Sequence, residues 1–291
     1  MKIKLLVTGS TGQLGSEFCR QLTGRFDVVG ITRNDADITD LAQITEVIKK
    51  YKPDYVIHTA AFTDVDACEQ NIHRTIAVNS IGATNAALAA QKAGAEIIYF
   101  STDYLFDGTK NSAYVESDSP NPISEYGKSK LAGELATMES NKNWTIIRSG
   151  WIYSDHGKNF VKSILRTGKC NKGPLRVVND QFGSPTWTKD IVEQTARIIE
   201  AKQTGLFHVA SQGEVSRYEF AKMILDRLVP DSKIEPCETK DFPRPAKRPA
   251  RSSLKSERLD KLGIDMMRPY DKCLVEFLDR YGEKLLNEVS D

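Results

Sequence analysis

The sequence predicts an α/β protein whose core is a doubly wound parallel sheet. Short β-rich runs alternate with helical stretches through the first half of the chain, which is typical of a parallel sheet covered by helices on both faces. The first strand also runs directly into a glycine-rich loop and a helix, as in nucleotide-binding βα units. We therefore predict a Rossmann-type dinucleotide-binding domain over residues 1–150. Residues 151–291 are less regular and form mainly a smaller C-terminal substrate-binding lobe, with part of this later chain returning to the sheet.

Periodicity and capping signals predict the individual elements. The predicted strands of the first half are 3–7, 27–31, 55–58, 96–101 and 145–148, and its predicted helices are 13–22, 40–51, 75–93 and 122–138. In the second half, Ser216 and Glu219 form a capping box that begins a helix extending to residue 228. Residues 243–251 are an extended loop rich in proline and arginine, and 270–287 is a closing helix.

The composition excludes several classes of protein. The 40 Lys and Arg residues nearly balance the 39 Asp and Glu residues of the 291-residue chain, so no general attraction to nucleic acid or to an anionic membrane is expected. No apolar stretch approaches the length of a membrane span. The 5 cysteines include no C-x-x-C pair and the 4 histidines are scattered, so we predict free thiols, no metal site and a cytoplasmic location.

A glycine loop follows the first strand and opens the first helix. In this G-x-x-G-x-x-G pattern, small residues allow the backbone to approach a pyrophosphate at the positive end of the helix. The alternative is a glycine-rich turn that binds nothing. The predicted cofactor-binding residues of this loop are Gly9, Gly12, Gln13, Leu14 and Gly15.

The end of the second strand indicates which dinucleotide is bound. The acidic residue that usually binds the adenine ribose of NAD is missing, and Arg33 stands where it could contact a 2′-phosphate. We therefore predict NADPH as cofactor, with NADH also accepted. Asp37 and Ile38 could frame the adenine. The alternatives are that Arg33 is a solvated loop charge and that Asp37 caps a helix.

The third strand ends in small residues at the same predicted sheet edge. Ala60, Ala61 and Thr63 leave room there for a ligand in the crevice of a doubly wound sheet. Tight packing is the competing explanation.

A tyrosine and a lysine within one predicted helix form the candidate catalytic pair. Tyr126 and Lys130 are four residues apart, so both side chains lie on one helical face, where the ammonium favours the phenolate. Such a pair is suited to protonate a carbonyl oxygen during reduction. Thr102, at the end of the fourth strand, could donate a hydrogen bond to the same oxygen. A Tyr-x-x-x-Lys pair also arises by chance on solvated helices, but the glycine loop and Thr102 favour the catalytic explanation.

Taken together, these motifs resemble those of the extended short-chain dehydrogenases, and among them the chain is most similar to the dTDP-4-dehydrorhamnose reductase family. The resemblance covers most of the chain. The matching stretches are 12–15, 56–61, 63–66, 101–108, 126–134, 180–186 and 248–254.

The resemblance implies hydride transfer from the nicotinamide to carbon 4 of a dTDP-linked 4-keto-6-deoxy sugar, in nucleotide-sugar and cell-surface polysaccharide biosynthesis. Tyr126 would supply the proton, and Lys130 would bind the nicotinamide ribose, so both also count as cofactor-binding residues. The implied substrate-binding residues are Thr102, Asp103, Tyr104, Tyr126, Trp151, Arg248 and Arg251.

Further roles follow from the resemblance. Arg248 and Arg251 would neutralise the pyrophosphate, for which forked guanidinium donors are suited, although both could be solvated loop charges. Asn79 is placed with the cofactor site, where it would brace the backbone, or it is a satisfied buried amide. Some family members bind Mg²⁺ through glutamates at a dimer contact. Glu17 occupies a matching place, but we predict no metal; a homodimer is expected from the family.

Other functions stay open on the sequence alone. A sugar-nucleotide dehydratase or epimerase shares the glycine loop and the Tyr-x-x-x-Lys pair, but related dehydratases carry an Asp-Glu pair where Tyr104 follows Asp103 here. The regulatory subunit of methionine adenosyltransferase resembles the same reductases and is not catalytic. A reductase acting on another sugar, or on a GDP- or UDP-linked one, is a further alternative.

Overall fold

The computed structural model describes residues 2–170 and 173–289. The first half alternates strands and helices. Its elements are β1 (Lys4–Thr8), α1 (Gln13–Leu22), β2 (Asp27–Ile31), α2 (Leu41–Tyr51), β3 (Tyr55–His58), α3 (Val65–Gln70), α4 (Ile72–Ile76), a π-helical segment (Ala77–Ile81), α5 (Gly82–Ala93), β4 (Glu96–Thr102), a 3-10 turn (Asp103–Leu105), α6 (Glu125–Ser140) and β5 (Trp144–Ser149).

The second half consists of longer helices and very short strands. Its elements are β6 (Ile152–Tyr153), α7 (Phe160–Cys170), β7 (Leu175–Val178), β8 (Phe182–Gly183), β9 (Thr186–Trp187), α8 (Thr188–Glu200), β10 (Gly205–His208), β11 (Val215–Ser216), α9 (Arg217–Leu228), β12 (Ile234–Cys237), a 3-10 turn (Thr239–Asp241), α10 (Glu257–Leu262) and α11 (Tyr270–Glu288). The capping box predicted at Ser216 and Glu219 begins α9. Sequence analysis did not predict α7, α8 or α10.

The central sheet has six parallel strands in the order β10-β5-β4-β3-β1-β2. The predicted fold class is confirmed. The strand order reverses between β1 and β3, so loops leave this point in opposite directions and open a crevice at the carboxyl ends of the two strands. Strand β10, from the second half of the chain, pairs with β5 and forms one edge of the sheet.

Apolar side chains cover both faces of the sheet. Because side chains alternate along a strand, Leu5 and Leu6 of β1 bury themselves on opposite faces. Leu5 packs in the layer of α1 and α8, with Phe18 and Ile191, whereas Leu6 packs in the layer of α2 and the alanine-rich α5, with Ile44. The second-half lobe has a separate core of aromatic and aliphatic side chains, which includes Tyr153, Trp187, Phe220 and Phe277.

The helix predicted over 75–93 is present and ends at Ala93, but it begins earlier than predicted and is not α-helical throughout. The helical region begins at residue 65, where the Asp64 carboxylate accepts a hydrogen bond from the N–H of Ala67, and it breaks at Asn71. It then widens into the π-helical segment, where the Asn79 amide bonds to the loop after β3. Helix α6 also begins later than predicted, because Ser124 caps it by accepting from the N–H of Gly127.

No helix in the ranges 2–170 and 173–289 is long and apolar enough to cross a membrane.

Candidate active site

A cavity of about 520 Å³ lies at the switch point between β1 and β3. It is lined by the glycine loop, by the turn after β2 and by the loop after β3, together with the start of the π-helical segment. The structure thus brings together a set of predicted cofactor-binding residues from three separate stretches of sequence. They are Gly9, Gly12, Arg33, Asp37, Ile38, Ala60 and Ala61.

Close backbone packing explains two glycines of the loop. Gly9 has φ of +67°, and a Cβ there would lie 2.9 Å from the Cα of Ala60. A Cβ on Gly15 would lie 2.2 Å from the carbonyl oxygen of Gly9. The glycines therefore serve the turn itself and also leave the cavity wall free of side chains, so the two explanations weighed for the loop are compatible.

Seven predicted cofactor residues do not line this cavity, namely Gln13, Leu14, Gly15, Thr63, Asn79, Tyr126 and Lys130. The Leu14 side chain is buried in the core, and Gln13 extends toward the second lobe, where its Oε1 lies 3.2 Å from the Ser154 hydroxyl. Gly15 packs beneath Gly9, and Thr63 is exposed. A lining residue that the sequence reasoning missed is Arg74, which carries no motif and stacks on Phe62 with its Cζ 4.6 Å from the ring centroid.

Arg33 forms an ion pair with Asp37 at the rim of the cavity. The two side chains are 2.9 Å apart, and the Arg33 side chain is 79% exposed. Hydrogen bonds from the backbone and hydroxyl of Thr39 lower the pKa of Asp37, with a smaller contribution from Arg33. Asp37 thus shapes the turn before α2 and lines the cavity, but it is not the helix cap considered as an alternative, because Asp40 caps α2.

Thr102, Tyr104 and Tyr126 meet at the carboxyl end of β4. The hydroxyls of Thr102 and Tyr126 face each other and interact, and the rings of Tyr104 and Tyr126 meet edge to face with centroids 6.0 Å apart. Gly127 permits this arrangement, because a Cβ there would lie 2.3 Å from the Tyr104 carbonyl oxygen. Helix α6 can therefore approach the turn after β4 closely enough for the predicted proton donor to reach Thr102.

Lys130 lies one helical turn from Tyr126 and is buried. Its Nζ is 4.0 Å from the centroid of the Tyr99 ring. Burial lowers the pKa of Lys130 to about 7, opposed by the charge of Glu134. Burial raises the pKa of Tyr126, and the interaction with Thr102 only partly offsets this. Lys130 is not among the groups that lower the pKa of Tyr126, so the expectation that it favours the phenolate is not met, and Tyr126 stays protonated.

Asn79 joins the loop after β3 to the catalytic helix. Its Oδ1 accepts from the N–H of Phe62 at 2.7 Å, and its Nδ2 donates to the Phe62 carbonyl and to the Ser129 hydroxyl, each at 3.0 Å. These bonds use the whole amide, so Asn79 acts as a brace between cavity wall and helix, one of the two roles considered for it. π-helical turns are frequent at functional sites, and this one places Asn79 for that task.

Asp103 is a buried carboxyl group beside the predicted catalytic residues. It is 3% exposed and bonds to the hydroxyls of Thr102 and Ser252. Burial raises its pKa to about 6, although the bond from Ser252 and the charge of Arg217 oppose the rise. Ser252 comes from a distant part of the chain, and its contact with Asp103 was not foreseen.

Trp151 is held in a strained conformation at the start of the second lobe. It has φ of +47°, which is uncommon for a residue other than glycine. Its ring rests against Gly183, where a Cβ would lie 2.3 Å from the indole Cε2, and the Cζ of Arg217 lies 3.4 Å from the ring centroid. Arg217 also contacts the Tyr104 hydroxyl. The predicted pair Tyr104 and Trp151 is thus bridged by an arginine that no motif indicated.

The two arginines predicted to bind pyrophosphate are in different surroundings. Arg248 forms an ion pair with Asp66 at 2.9 Å and also contacts the Tyr104 hydroxyl. Arg251 instead forms an ion pair with Glu214 and lines a separate cavity of about 360 Å³. The structure therefore places Arg248 at the predicted sugar pocket and turns Arg251 toward Glu214.

Glu17, which the resemblance placed at a possible magnesium contact, lies among charged side chains. The Glu17 carboxylate forms an ion pair with Arg20, which bonds to Asp155 as well. Across 2–170 and 173–289, no group of three or more His, Cys, Asp or Glu side chains could hold a metal ion.

The chain is similar to known proteins over nearly its whole length. A family model described as RmlD substrate binding domain matches residues 2–283. The dTDP-4-dehydrorhamnose reductase of Burkholderia thailandensis is 38% identical over 282 residues, which cover 91% of this chain and 94% of that protein. A crystal structure of a dTDP-4-dehydrorhamnose reductase from Clostridium acetobutylicum has 41% identity and a TM-score of 0.93, covering 96% of this chain and 100% of that one. A Bacillus anthracis dTDP-4-dehydrorhamnose reductase in complex with NADP has 35% identity and a TM-score of 0.92, with the same coverage.

Proposed function

The chain belongs to the family described as RmlD substrate binding domain, and we propose that it is an NAD(P)H-dependent oxidoreductase that reduces dTDP-4-dehydro-β-L-rhamnose to dTDP-L-rhamnose. The observation that carries this proposal is the meeting of Thr102 and Tyr126 at the sheet edge, with Lys130 one helical turn away. These groups can bind and protonate a keto oxygen.

Tyr126 is the proton donor in this proposal. Its raised pKa keeps the phenol protonated at neutral pH, which suits a group that must deliver a proton to the developing alkoxide. The Thr102 hydroxyl, which donates to Asp103 in this structure, turns on substrate binding to donate a second hydrogen bond to the same oxygen and holds it near the Tyr126 hydroxyl. Lys130, buried one helical turn from Tyr126, provides a donor for the cofactor ribose.

The cavity at the switch point fits a dinucleotide. Its glycine wall leaves room for a pyrophosphate at the N-terminus of α1, and its far end reaches the turn after β2. When bound there, NAD(P)H supplies the hydride for the reduction. We further propose a preference for NADPH, with Arg33 turning from Asp37 to the 2′-phosphate. A markedly weaker binding of NADPH, but not of NADH, to Arg33→Ala would support this preference.

Other expectations are retained as proposals. The division at residue 150 assigns the cofactor to the first part of the chain and the sugar to the second, with Trp151 at the junction. A homodimer is proposed from the family, and size-exclusion chromatography with light scattering tests it.

The test of the reaction mixes purified protein with NADPH and dTDP-4-dehydrorhamnose. We expect loss of absorbance at the nicotinamide band together with formation of dTDP-rhamnose. An epimerase or a dehydratase would cause no net consumption of NADPH. Absence of turnover in a protein that binds NADPH would contradict the proposed reaction and favour another nucleotide sugar or a regulatory role.

A further inference from the structure

Arg217 is the first residue of α9 and is firmly anchored at the sugar pocket. Its backbone N–H donates to the carbonyl of Gln181 at 3.0 Å, and the neighbouring Ser216 forms the capping box of the helix. Helix α9 is packed into the core of the second lobe through Phe220, so the backbone of Arg217 has little freedom.

The Arg217 guanidinium is covered by aromatic rings. Its Cζ lies 3.4 Å from the centroid of Trp151 and 4.9 Å from that of Phe160. Stacking of this kind holds the planar group by its face and leaves the N–H groups at its edge for hydrogen bonding. One side of this edge contacts the Tyr104 hydroxyl.

Arg217 differs from the neighbouring arginines in that it forms no ion pair with a carboxylate in the described part of the chain. Arg248 is paired with Asp66 and Arg251 with Glu214, whereas among the described residues no carboxylate lies within 4.0 Å of Arg217. Asp103 acts on Arg217 only from beyond ion-pair distance. A partly desolvated guanidinium without a close counter-ion is costly, and a bound anion lowers that cost.

We propose that Arg217 and Arg248, which both contact the Tyr104 hydroxyl, bind the diphosphate of the substrate. The bound diphosphate then positions the sugar against Trp151. This inference rests on the proposed function, because it takes the substrate to be a nucleoside diphosphate sugar. It assigns the principal diphosphate contact to Arg217 and not to Arg251. A guanidinium presents two parallel N–H donors that match phosphate oxygens.

The experiment measures binding of dTDP and of thymidine, which lacks the diphosphate, by calorimetry. In Arg217→Gln we expect dTDP to bind about 10- to 100-fold more weakly, as is usual when a charged hydrogen bond is lost, with thymidine affinity unchanged. NADPH affinity should also be unchanged, which reports an intact fold. Arg227→Gln, at the opposite end of the same helix and ion-paired with Asp279, is the matched control and should bind dTDP as the wild type does.

Because removal of the stacked group can disturb the lobe, Arg217→Lys is measured as well. It keeps the charge, so it should bind dTDP more tightly than the glutamine variant. The inference is overturned if Arg217→Gln binds dTDP within about twofold of the wild type, a change too small for a lost charged hydrogen bond. It is equally overturned if thymidine loses as much affinity as dTDP, or if Arg251→Gln weakens dTDP binding more than Arg217→Gln does. Failure of the proposed reaction is recognised separately, by a wild-type protein that binds dTDP but does not consume NADPH.

Discussion

Replacement of Asp103 by asparagine should change how the stability of the protein depends on pH. The carboxyl group is 3% exposed, and a Cβ on Gly150 would lie 2.4 Å from its Cγ, so the site has room for an isosteric side chain and little more. Asparagine keeps this shape and can still bond to the hydroxyls of Thr102 and Ser252. The substitution therefore removes the ionisation of the group with little change in packing.

The magnitude follows from the pKa of Asp103, which burial raises from 3.8 to about 6. Below pH 3.8 the group is protonated in both the folded and the unfolded protein, and it has no effect on the pH dependence of stability. Between that pH and about 6 the unfolded chain ionises while the folded protein does not, so stability falls as pH rises. The loss amounts to roughly 3 kcal/mol and is complete above the folded-state pKa.

Urea unfolding of wild type and Asp103→Asn between pH 4 and 8 measures this effect. We expect the asparagine variant to gain on the wild type by up to about 3 kcal/mol as pH rises through 6, with the gain constant at higher pH. Asp27→Asn, which alters a carboxylate whose side chain is 52% exposed, serves as a control for general charge effects. A difference between wild type and Asp103→Asn that does not vary with pH would refute the reasoning.

Further substitutions test the catalytic helix. Tyr126→Phe should lower turnover by about 10² to 10⁴-fold and leave NADPH affinity unchanged, since only a proton donor is lost, as kinetics and calorimetry can measure. Lys130→Ala should weaken both turnover and NADPH binding in the same assays. Glu134→Ala leaves the guanidinium of Arg148 buried without its carboxylate, and should lower the free energy of urea unfolding by about 3 to 5 kcal/mol. Gly127→Ala should reduce turnover with little loss of NADPH affinity, because the added Cβ must displace the Tyr104 carbonyl.

Three of these expectations have a clear opposing result. Near-full activity of Tyr126→Phe would remove it as proton donor, and unchanged NADPH affinity in Lys130→Ala would show that its ribose contact is wrong. If Glu134→Ala unfolds at the same urea concentration as the wild type, the ion pair between Glu134 and Arg148 contributes little to the free energy of unfolding. Lys128→Ala alters an exposed neighbour on the same helix, ion-paired with Glu125, and should behave as the wild type does.

The parts of the fold that sequence analysis predicted carry local signals. The glycine loop marks the start of α1, and the capping box at Ser216 and Glu219 marks the start of α9. In contrast, α8 has no side-chain cap, and the π-helical segment depends on bonds from Asn79 to residues far away in the sequence. Tertiary contacts decide these elements, so a local pattern could not reveal them.

The residues of the candidate site also fall into those with a local sequence signal and those that only the folded chain brings together. Tyr126 and Lys130 were found because four residues along a helix bring two side chains to one face. Arg217 was missed because its importance comes from Trp151 and Tyr104, which lie on other elements and reach it only in the folded chain. The resemblance to the family placed Arg251 with the substrate. Its ion pair with Glu214 instead depends on which side of its extended segment faces that carboxylate, and the sequence does not indicate this.

The pairing of β10 with β5 has a consequence for how the protein is made. On the ribosome, the first five strands of the sheet emerge well before residues 205–208, and until then β5 has an unpaired edge of backbone N–H and C=O groups. The same stretch that precedes β10 contains α8, which buries apolar side chains beside α1. A nascent chain that pauses near residue 150 therefore exposes both the unpaired edge of β5 and the apolar face of α1 that α8 later covers. Such a chain is open to aggregation, and to binding by chaperones, until α8 and β10 have been made.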